Sequence, residues 1–169
     1  MISELDNYLE RLEDLRGQVS SLLADLPAEA LNWRPIEGRD DHAANSLAVL
    51  TAHLAGAEHF WIAEVIGGHP ATRDRDAEFV TVAKSTAELL QILEKVSQET
   101  REVLSTLSES DLGEMRQAKD RTVAVRWCIL HVIDHTSLHL GHMQITCQLW
   151  TGGRSIPSPL WVDRLPKNQ

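Results

Sequence analysis

Apolar residues recur every three or four positions through four long segments of this chain. A period of 3.6 residues predicts amphipathic α-helices. No segment shows sustained strand-like alternation, so we predict an all-α fold. Four helices of this length favour a four-helix bundle. The predicted helices run over Ile2–Leu26, Asn45–Gly67, Ser85–Leu107 and Thr122–Thr151.

Helix start and stop signals set these boundaries. Pro27 ends the first helix, and Gly67 and Gly68 end the second. Asn45 is the predicted N-cap of the second helix. The third helix opens on a serine with a glutamate three residues later, which is the spacing of a capping box. Residues 32–43, 69–83 and 108–121 are predicted to be connections. We expect one domain over residues 1–169, with a bundle over 1–151 and a packed C-terminal tail over 152–169.

Charge and hydropathy exclude several classes of protein. The formal net charge is -9 and the pI is about 5.3, without any basic run, which argues against nucleic-acid binding. The first residues lack the apolar core of a signal peptide, and no segment approaches the roughly 20 apolar residues of a membrane span. We therefore expect a cytoplasmic protein with no membrane partner. Cys128 and Cys147 lie in an apolar helical segment and are expected to be buried free thiols.

Half of the eight histidines fall on one stripe of the fourth predicted helix. His131, His135, His139 and His142 span an arc of about 80° at 100° per residue. Because the same arc carries Trp127, Leu138, Ile145 and Leu149, we expect these histidines to face the core. A buried imidazole needs partners for both ring nitrogens, and four are hard to satisfy with protein groups alone. A divalent metal bound by two or three of them would remove this difficulty.

A further ligand must come from another helix. His53 lies on the same face as Leu50, Ala57 and Trp61, which predicts that it points inward, whereas His59 lies about 240° away on a more polar side. His53 is therefore the better candidate, although a single inward histidine can also be an ordinary core residue. His42 and His69 lie in connections and are expected at the surface. Asp134 is expected on the solvent side, and Trp61 and Trp127 are expected to be core packing residues.

Other catalytic chemistries lack their sequence signals. There is no His-Glu-x-x-His motif of a zinc protease. Glu58 and Glu64 do not supply the inward glutamates and Glu-x-x-His pairs of a di-iron bundle. No nucleophile elbow is present to support a serine triad. A histidine-lined bundle without functional metal remains an alternative.

Several motifs, taken in order, resemble the DinB-like superfamily of four-helix metalloproteins. They are Leu31-Asn32-Trp33-Arg34-Pro35, Asn45-Ser46-Leu47, His53-Leu54, Glu58-His59-Phe60-Trp61, Trp127 and His131–His142. The resemblance covers nearly the whole chain and implies a bacterial protein with a DinB/YfiT-like bundle. It also implies that His53, His135 and His139 are the ligands of a divalent metal, typically Zn or Ni, with open positions for water.

The resemblance also implies chemistry. Relatives include mycothiol-dependent maleylpyruvate isomerase and bacillithiol S-transferases, in which the metal activates a low-molecular-weight thiol. We therefore expect a thiol-dependent S-transferase or isomerase that acts on a small thiol and an electrophile, with His142 or His131 relaying a proton. His142 is the predicted catalytic residue. His139-Leu140-Gly141-His142 is closer to the mycothiol-associated branch, although Gln144 replaces its usual acid. The alternative is a non-catalytic metal-binding or small-molecule-binding stress protein. Apolar residues in the tail suggest a homodimer.

Overall fold

The computed structural model of this protein describes residues 3–36 and 44–153. Four long helical segments form the bundle, as predicted, and short elements connect them. In chain order the elements are α1 (Glu4–Leu23), α2 (Ala28–Asn32), α3 (Leu47–Glu58), a π-helix (His59–Ile66), α4 (Arg75–Phe79), α5 (Thr86–Ser105), a 3-10 helix (Glu109–Gly113), β1 (Met115–Ala118), β2 (Arg121–Ala124) and α6 (Val125–Trp150).

Serine hydroxyls cap three of the long helices. Ser3 accepts a hydrogen bond from the backbone N–H of Asp6, and Ser85 accepts one from Glu88. The N-cap of α3 is Ser46, one residue later than predicted, because its hydroxyl reaches the N–H of Val49. A side-chain oxygen at this position satisfies a backbone donor that has no partner within the helix. The predicted cap at Ser85 is thus confirmed.

The apolar faces of α1, α3, α5 and α6 meet in two adjoining core clusters. In one cluster the fully buried side chains include Leu15, Val19, Leu23, Leu47, Leu89 and Met143; in the other they include Leu12, Ile62, Leu112, Val125 and Ile129. Burial of apolar surface at about 25 cal/mol per Å² is the main force that holds such a bundle together. The predicted all-α bundle is confirmed.

The structure corrects two of the predicted connections and adds a short helix before the first. Residues 28–32 form α2 and residues 75–79 form α4, although each is only five residues long. A helix of one turn is too short to show periodicity. The connection after α5 contains the 3-10 helix and an antiparallel hairpin in which Met115 pairs with Ala124 and Ala118 with Arg121. The hairpin delays the start of α6 to Val125, because residues 121–124 are extended.

The second long helix changes its winding at His59. Its last eight residues form a π-helix, and the N–H of Gly67 reaches the carbonyl of Ile62, five residues earlier, at 2.9 Å. The wider turn rotates the residues that follow relative to an α-helix. Gly68, with φ of 68°, then ends the helix as predicted, because this left-handed conformation suits glycine.

The orientation predicted for α6 is wrong by part of a turn. The residues that face the core are Val125, Cys128, Ile129, Val132, Thr136, Leu140, Met143, Thr146 and Cys147. The predicted core residues Trp127, Leu138, Ile145 and Leu149 are instead 46–60% exposed. The histidine stripe lies at the edge of the buried face, with His131, His135 and His139 half-buried and His142 exposed. The cause is that α6 carries two apolar faces, and periodicity alone does not show which one packs inward.

Two predictions fall on residues outside the described ranges: the surface position of His42 and the packing of the tail beyond Gly153. The homodimer, which rested on that tail, stays a prediction.

His69 and Asp134 are exposed, as predicted. Both cysteines are buried and unpaired, also as predicted. None of the helices in residues 3–36 and 44–153 has the length and apolar composition needed to cross a membrane.

Candidate metal centre

His53 on α3 meets His135 and His139 on α6. One ring nitrogen from each residue lies within 4.8 Å of the others. Nε2 of His53 is 3.1 Å from Nε2 of His135. Two nitrogens bound tetrahedrally to one zinc ion are about 3.3 Å apart, given Zn–N bonds of about 2.0–2.1 Å. The three imidazoles therefore fit a single divalent ion, and among the described residues they form the one such group.

A carboxylate fixes the orientation of the His53 ring. Nδ1 of His53 lies 2.8 Å from Oε2 of Glu78, and the two side chains are only 12% and 7% exposed. With Nδ1–H donating to the carboxylate, Nε2 keeps its lone pair toward the other two histidines. Such an outer hydrogen bond sets the tautomer of a metal ligand and increases its basicity.

Arg73 holds Glu78 in place. Its Nε and Nη2 donate to the two carboxylate oxygens at 2.6 and 2.9 Å. Burial alone would raise the pKa of Glu78, but the hydrogen bonds from Arg73 and His53 outweigh it and lower the pKa below its ordinary value. Glu78 therefore stays ionised and acts as an acceptor for His53 over the whole neutral range.

The path of the chain at Gly56 allows Glu78 to approach α3. A β-carbon at position 56 would lie 2.0 Å from Oε1 of Glu78. The carboxylate itself comes from α4, whose first turn is capped when Asp74 accepts a hydrogen bond from the N–H of Ala77 at 3.0 Å. A one-turn helix, capped by Asp74 and opposite a glycine, thus places the carboxylate against the candidate ligand His53.

The two candidate ligands on α6 are uncharged at neutral pH, which suits the binding of a cation. Burial and, after it, the neighbouring imidazoles, His139 first among them, together lower the pKa of His135 to about 3. Burial and His53 lower the pKa of His139 to about 4. Both rings are therefore neutral at physiological pH and present lone pairs rather than positive charge.

The other two histidines of the stripe flank the triad without joining it. The ring of His131 stacks on Trp127 at 4.8 Å, with an interplanar angle of 6°, and lies 5.8 Å from the ring of His135. Burial lowers the pKa of His131, so this ring is also neutral. Nδ1 of His142 lies 3.3 Å from Nδ1 of His139. His142 is thus placed to interact with a ligand's outer nitrogen while its own ring remains exposed.

His59 belongs to a different cluster, as its predicted orientation implied. Its Nδ1 lies 2.7 Å from Glu99, and its Nε2 lies 2.9 Å from the hydroxyl of Thr72 and 3.3 Å from Glu64. Two carboxylates and a hydroxyl satisfy the ring in this position. His59 therefore has no part in the triad.

A cavity of about 210 Å³ adjoins the triad between α3 and α4. His53 and His139 line this cavity on the side of the triad. The rest of its lining consists of Asn45, Val49, Leu50, Arg75 and Phe79. The ring of Phe79 lies 5.2 Å from the ring of His53. A small molecule in this cavity would touch two of the three candidate ligands.

The residues that support the site, Glu78 and Arg73, were not predicted from the sequence. Both lie in the polar connection between the second and third predicted helices. The available signal was Asp74, an N-cap residue type followed three positions later by Ala77. That signal indicates a short helix but gives no information about which helix it packs against.

A buried ion pair braces the helix that carries His53. Arg16 on α1 donates to Glu58 on α3, and the hydroxyl of Thr100 on α5 donates to the same carboxylate oxygen at 2.5 Å. Burial raises the pKa of Glu58, and the charge of Arg16 opposes this effect. Glu58 lies five residues after His53 on α3. Because its carboxylate contacts residues of α1 and α5, it fixes the relative position of the three helices near the triad.

Comparisons with known proteins agree with this architecture. The structure is similar to that of a conserved protein from Enterococcus faecalis, at a TM-score of 0.70 and 18% identity over 90% of this chain and 99% of that one. It is also similar to a DinB-like protein from Bacillus cereus, at a TM-score of 0.72 and 17% identity over 95% of this chain and 100% of that one. No curated protein matches the sequence. The profile of the DinB superfamily matches residues 11–143, and the chain belongs to this superfamily.

Proposed function

We propose that this protein binds one divalent metal ion through His53, His135 and His139 and uses it to activate a small thiol for S-transfer or isomerisation. The observation that carries the metal proposal is the approach of three imidazole nitrogens to within 4.8 Å of one another. Neutral imidazole is a preferred ligand of Zn and Ni, which are the ions we favour. The resemblance to thiol-dependent members of the superfamily supports the proposed reaction.

An open coordination position favours an enzyme over a closed structural site. Three protein ligands leave at least one position of a divalent ion for another molecule. The cavity beside His53 and His139 gives such a molecule room. When bound, a divalent ion lowers the pKa of an adjacent thiol.

The residues of the chain then have separate roles. Glu78 and Arg73 hold His53 in one tautomer. His142 accepts the proton that the thiol loses, since its exposed ring lies beside His139 and can pass the proton to water. The sulfur forms a bond to an electrophilic carbon, and the leaving group departs with its electron pair. In an isomerisation the same sulfur leaves again and the proton returns.

Metal content is the first test. The protein is purified without a histidine tag and its bound metals are measured by elemental mass spectrometry. About one ion per chain is expected, with loss in His53→Ala and in the His53→Ala/His139→Ala double variant. His69→Ala is the matched control, because His69 is exposed and lies outside the triad. An absence of metal after reconstitution with Zn, Ni, Mn, Fe and Cu would overturn the proposal.

The reaction is tested separately on metal-loaded protein. Cysteine is mixed with monochlorobimane, and the fluorescent thioether is followed over time. A rate above that of the metal alone, reduced in His142→Gln, supports the transferase. Full metal loading with no acceleration for any thiol would instead support the non-catalytic binding protein.

A further inference from the structure

A second cavity, of about 400 Å³, lies between the tip of the β-hairpin, the π-helix and residues 69–75. We call it the Phe60 pocket, because Phe60 lines it and two of its cations lie near the Phe60 ring. Its charged lining residues are three cations and one acid: Lys119, Arg73, Arg75 and Glu64. In a chain with a net charge of -9, this concentration of positive charge is unusual.

Two of these cations lie over the aromatic ring. Nζ of Lys119 is 5.7 Å from the centroid of Phe60, and the guanidinium carbon of Arg73 is 5.9 Å from it. Lys119 occupies the hairpin turn with φ of 56°, a left-handed position fixed by the turn. Within residues 3–36 and 44–153, no carboxylate pairs with its ammonium group. Lys119 therefore presents an uncompensated charge above an apolar surface.

The acid of the pocket is turned toward backbone donors. Glu64 accepts hydrogen bonds from the N–H groups of Thr72 and Arg73 at 2.6 and 2.8 Å. Its side chain is 7% exposed, and the same oxygen lies 3.3 Å from His59. These three contacts hold one carboxylate oxygen of Glu64 in place at the edge of the pocket.

Aromatic rings connect the Phe60 pocket with the metal centre. The ring of Phe60 lies 4.9 Å from Trp61, Trp61 lies 5.2 Å from His131, and His131 lies 5.8 Å from the ligand His135. Arg73 joins the two sites by a second route, since it contacts the Phe60 ring and also holds Glu78 against His53. Arg75 lines both the Phe60 pocket and the cavity beside His53 and His139, so an elongated molecule with one end at the metal centre can place its other end beside Lys119.

We propose that the Phe60 pocket binds the carboxylate end of an elongated thiol whose sulfur lies at the metal centre. Lys119 forms an ion pair with the carboxylate, and Phe60 contacts the apolar middle of the molecule. This inference rests on the proposed thiol chemistry and deepens it, because it selects anionic thiols over neutral ones.

The test uses the full chain loaded with Co²⁺, whose absorption spectrum changes when sulfur binds. The probes are mercaptopropionate, mercaptohexanoate and mercaptoundecanoate, each paired with the mercapto-alcohol of the same length. At one of these lengths we expect the acid to bind about 2- to 5-fold more tightly than its alcohol, the modest gain of one solvent-accessible ion pair. The gain should shrink as salt is added, because ions screen exposed charges.

Two variants decide whether Lys119 is responsible. Lys119→Gln should remove the preference for the acid while leaving metal content and alcohol binding unchanged. Lys84→Gln is the matched control, because Lys84 is an exposed lysine outside the Phe60 pocket. It lies before the first residue of α5, whereas Lys119 lies in the hairpin beyond the last residue of α5. Equal binding of acid and alcohol at every length would overturn the proposed carboxylate site, and so would an unchanged preference for the acid in Lys119→Gln. Neither result would contradict the proposed thiol chemistry at the metal. No spectral change with any thiol overturns both.

Discussion

Gly56 lies so close to the carboxylate of Glu78 that a β-carbon at position 56 would be 2.0 Å from Oε1. Gly56 follows the candidate ligand His53 by three residues. Because it has no side chain, the Glu78 carboxylate of α4 can lie against the surface of α3. We predict that Gly56→Ala pushes Glu78 away from His53 and weakens metal binding by about 10-fold or more, as loss of an outer hydrogen bond usually does. Competition with a chromophoric chelator measures this affinity.

Gly17→Ala is the control for this substitution. Gly17 lies within α1, and nothing lies within 4 Å of a β-carbon placed there. This variant should keep full metal affinity and gain about 0.5–1 kcal/mol of stability from helix propensity. If Gly56→Ala binds metal as tightly as Gly17→Ala, Glu78 does not support the ligand.

Glu78 itself gives a graded prediction. Glu78→Gln keeps an oxygen that can accept the Nδ1–H of His53, whereas Glu78→Ala removes the acceptor. We expect metal affinity to fall by about 10- to 100-fold in Glu78→Ala and by less in Glu78→Gln, since the tautomer is preserved but the charge is lost. The same chelator competition checks the order, and an equal loss in both variants would show that the charge alone matters.

The metal-free protein should lose stability in mild acid. In the unfolded chain His135 and His139 take up protons near their ordinary pKa of 6.5, but in the folded chain they do so only near 3 and 4. The unfolded state therefore binds more protons as the pH falls below about 6.5, and the free energy of unfolding decreases. Urea denaturation with a chelator present should show a decrease of about 1–2 kcal/mol from pH 7 to pH 5.

The double variant His135→Gln/His139→Gln is the control for this pH effect. Its unfolding free energy should vary less between pH 7 and pH 5 than that of the unaltered protein. An equally steep dependence in the double variant would assign the effect to other groups.

Removing only one partner of the ion pair between Arg16 and Glu58 should strongly lower the free energy of unfolding. Both side chains are less than 10% exposed, and Nη2 of Arg16 already lacks a partner in the described part of the chain. Arg16→Met leaves a buried carboxylate that only Thr100 contacts, so we expect about 3–5 kcal/mol of destabilisation. Arg16→Met/Glu58→Met should cost less than Arg16→Met alone, and urea denaturation compares the two. The opposite order would contradict this account.

The two cysteines should be unreactive in the folded protein. Burial raises the pKa of Cys128 and of Cys147 to about 11 in each case, and both side chains are inaccessible. At pH 8 a thiol-specific disulfide reagent should label neither residue within minutes, because the thiolate is the reactive form. The same reagent should label both in denaturant. Rapid labelling of the native protein would show that α6 opens readily.

The sequence by itself determined the helices and the candidate metal ligands. Apolar periodicity defined four long helices because each must bury one face, and the spacing of His135 and His139 placed both on one side of α6. The apolar face of the second helix indicated His53, the resemblance selected His135 and His139 from the four histidines of the stripe, and the structure brings all three together. These features depend on residues close together in the chain, so local pattern is enough to predict them.

Tertiary structure decided which side of α6 faces the core and what surrounds the ligands. Apolar and histidine residues occupy more than one face of α6, so only packing against the other helices placed Leu138 outside and Met143 inside. Glu78 and Arg73 reach His53 from a five-residue helix whose position depends on contact with Gly56. Such contacts join residues about 20 positions apart through a connection with no periodicity, and their energy comes from the packed geometry rather than from any local preference.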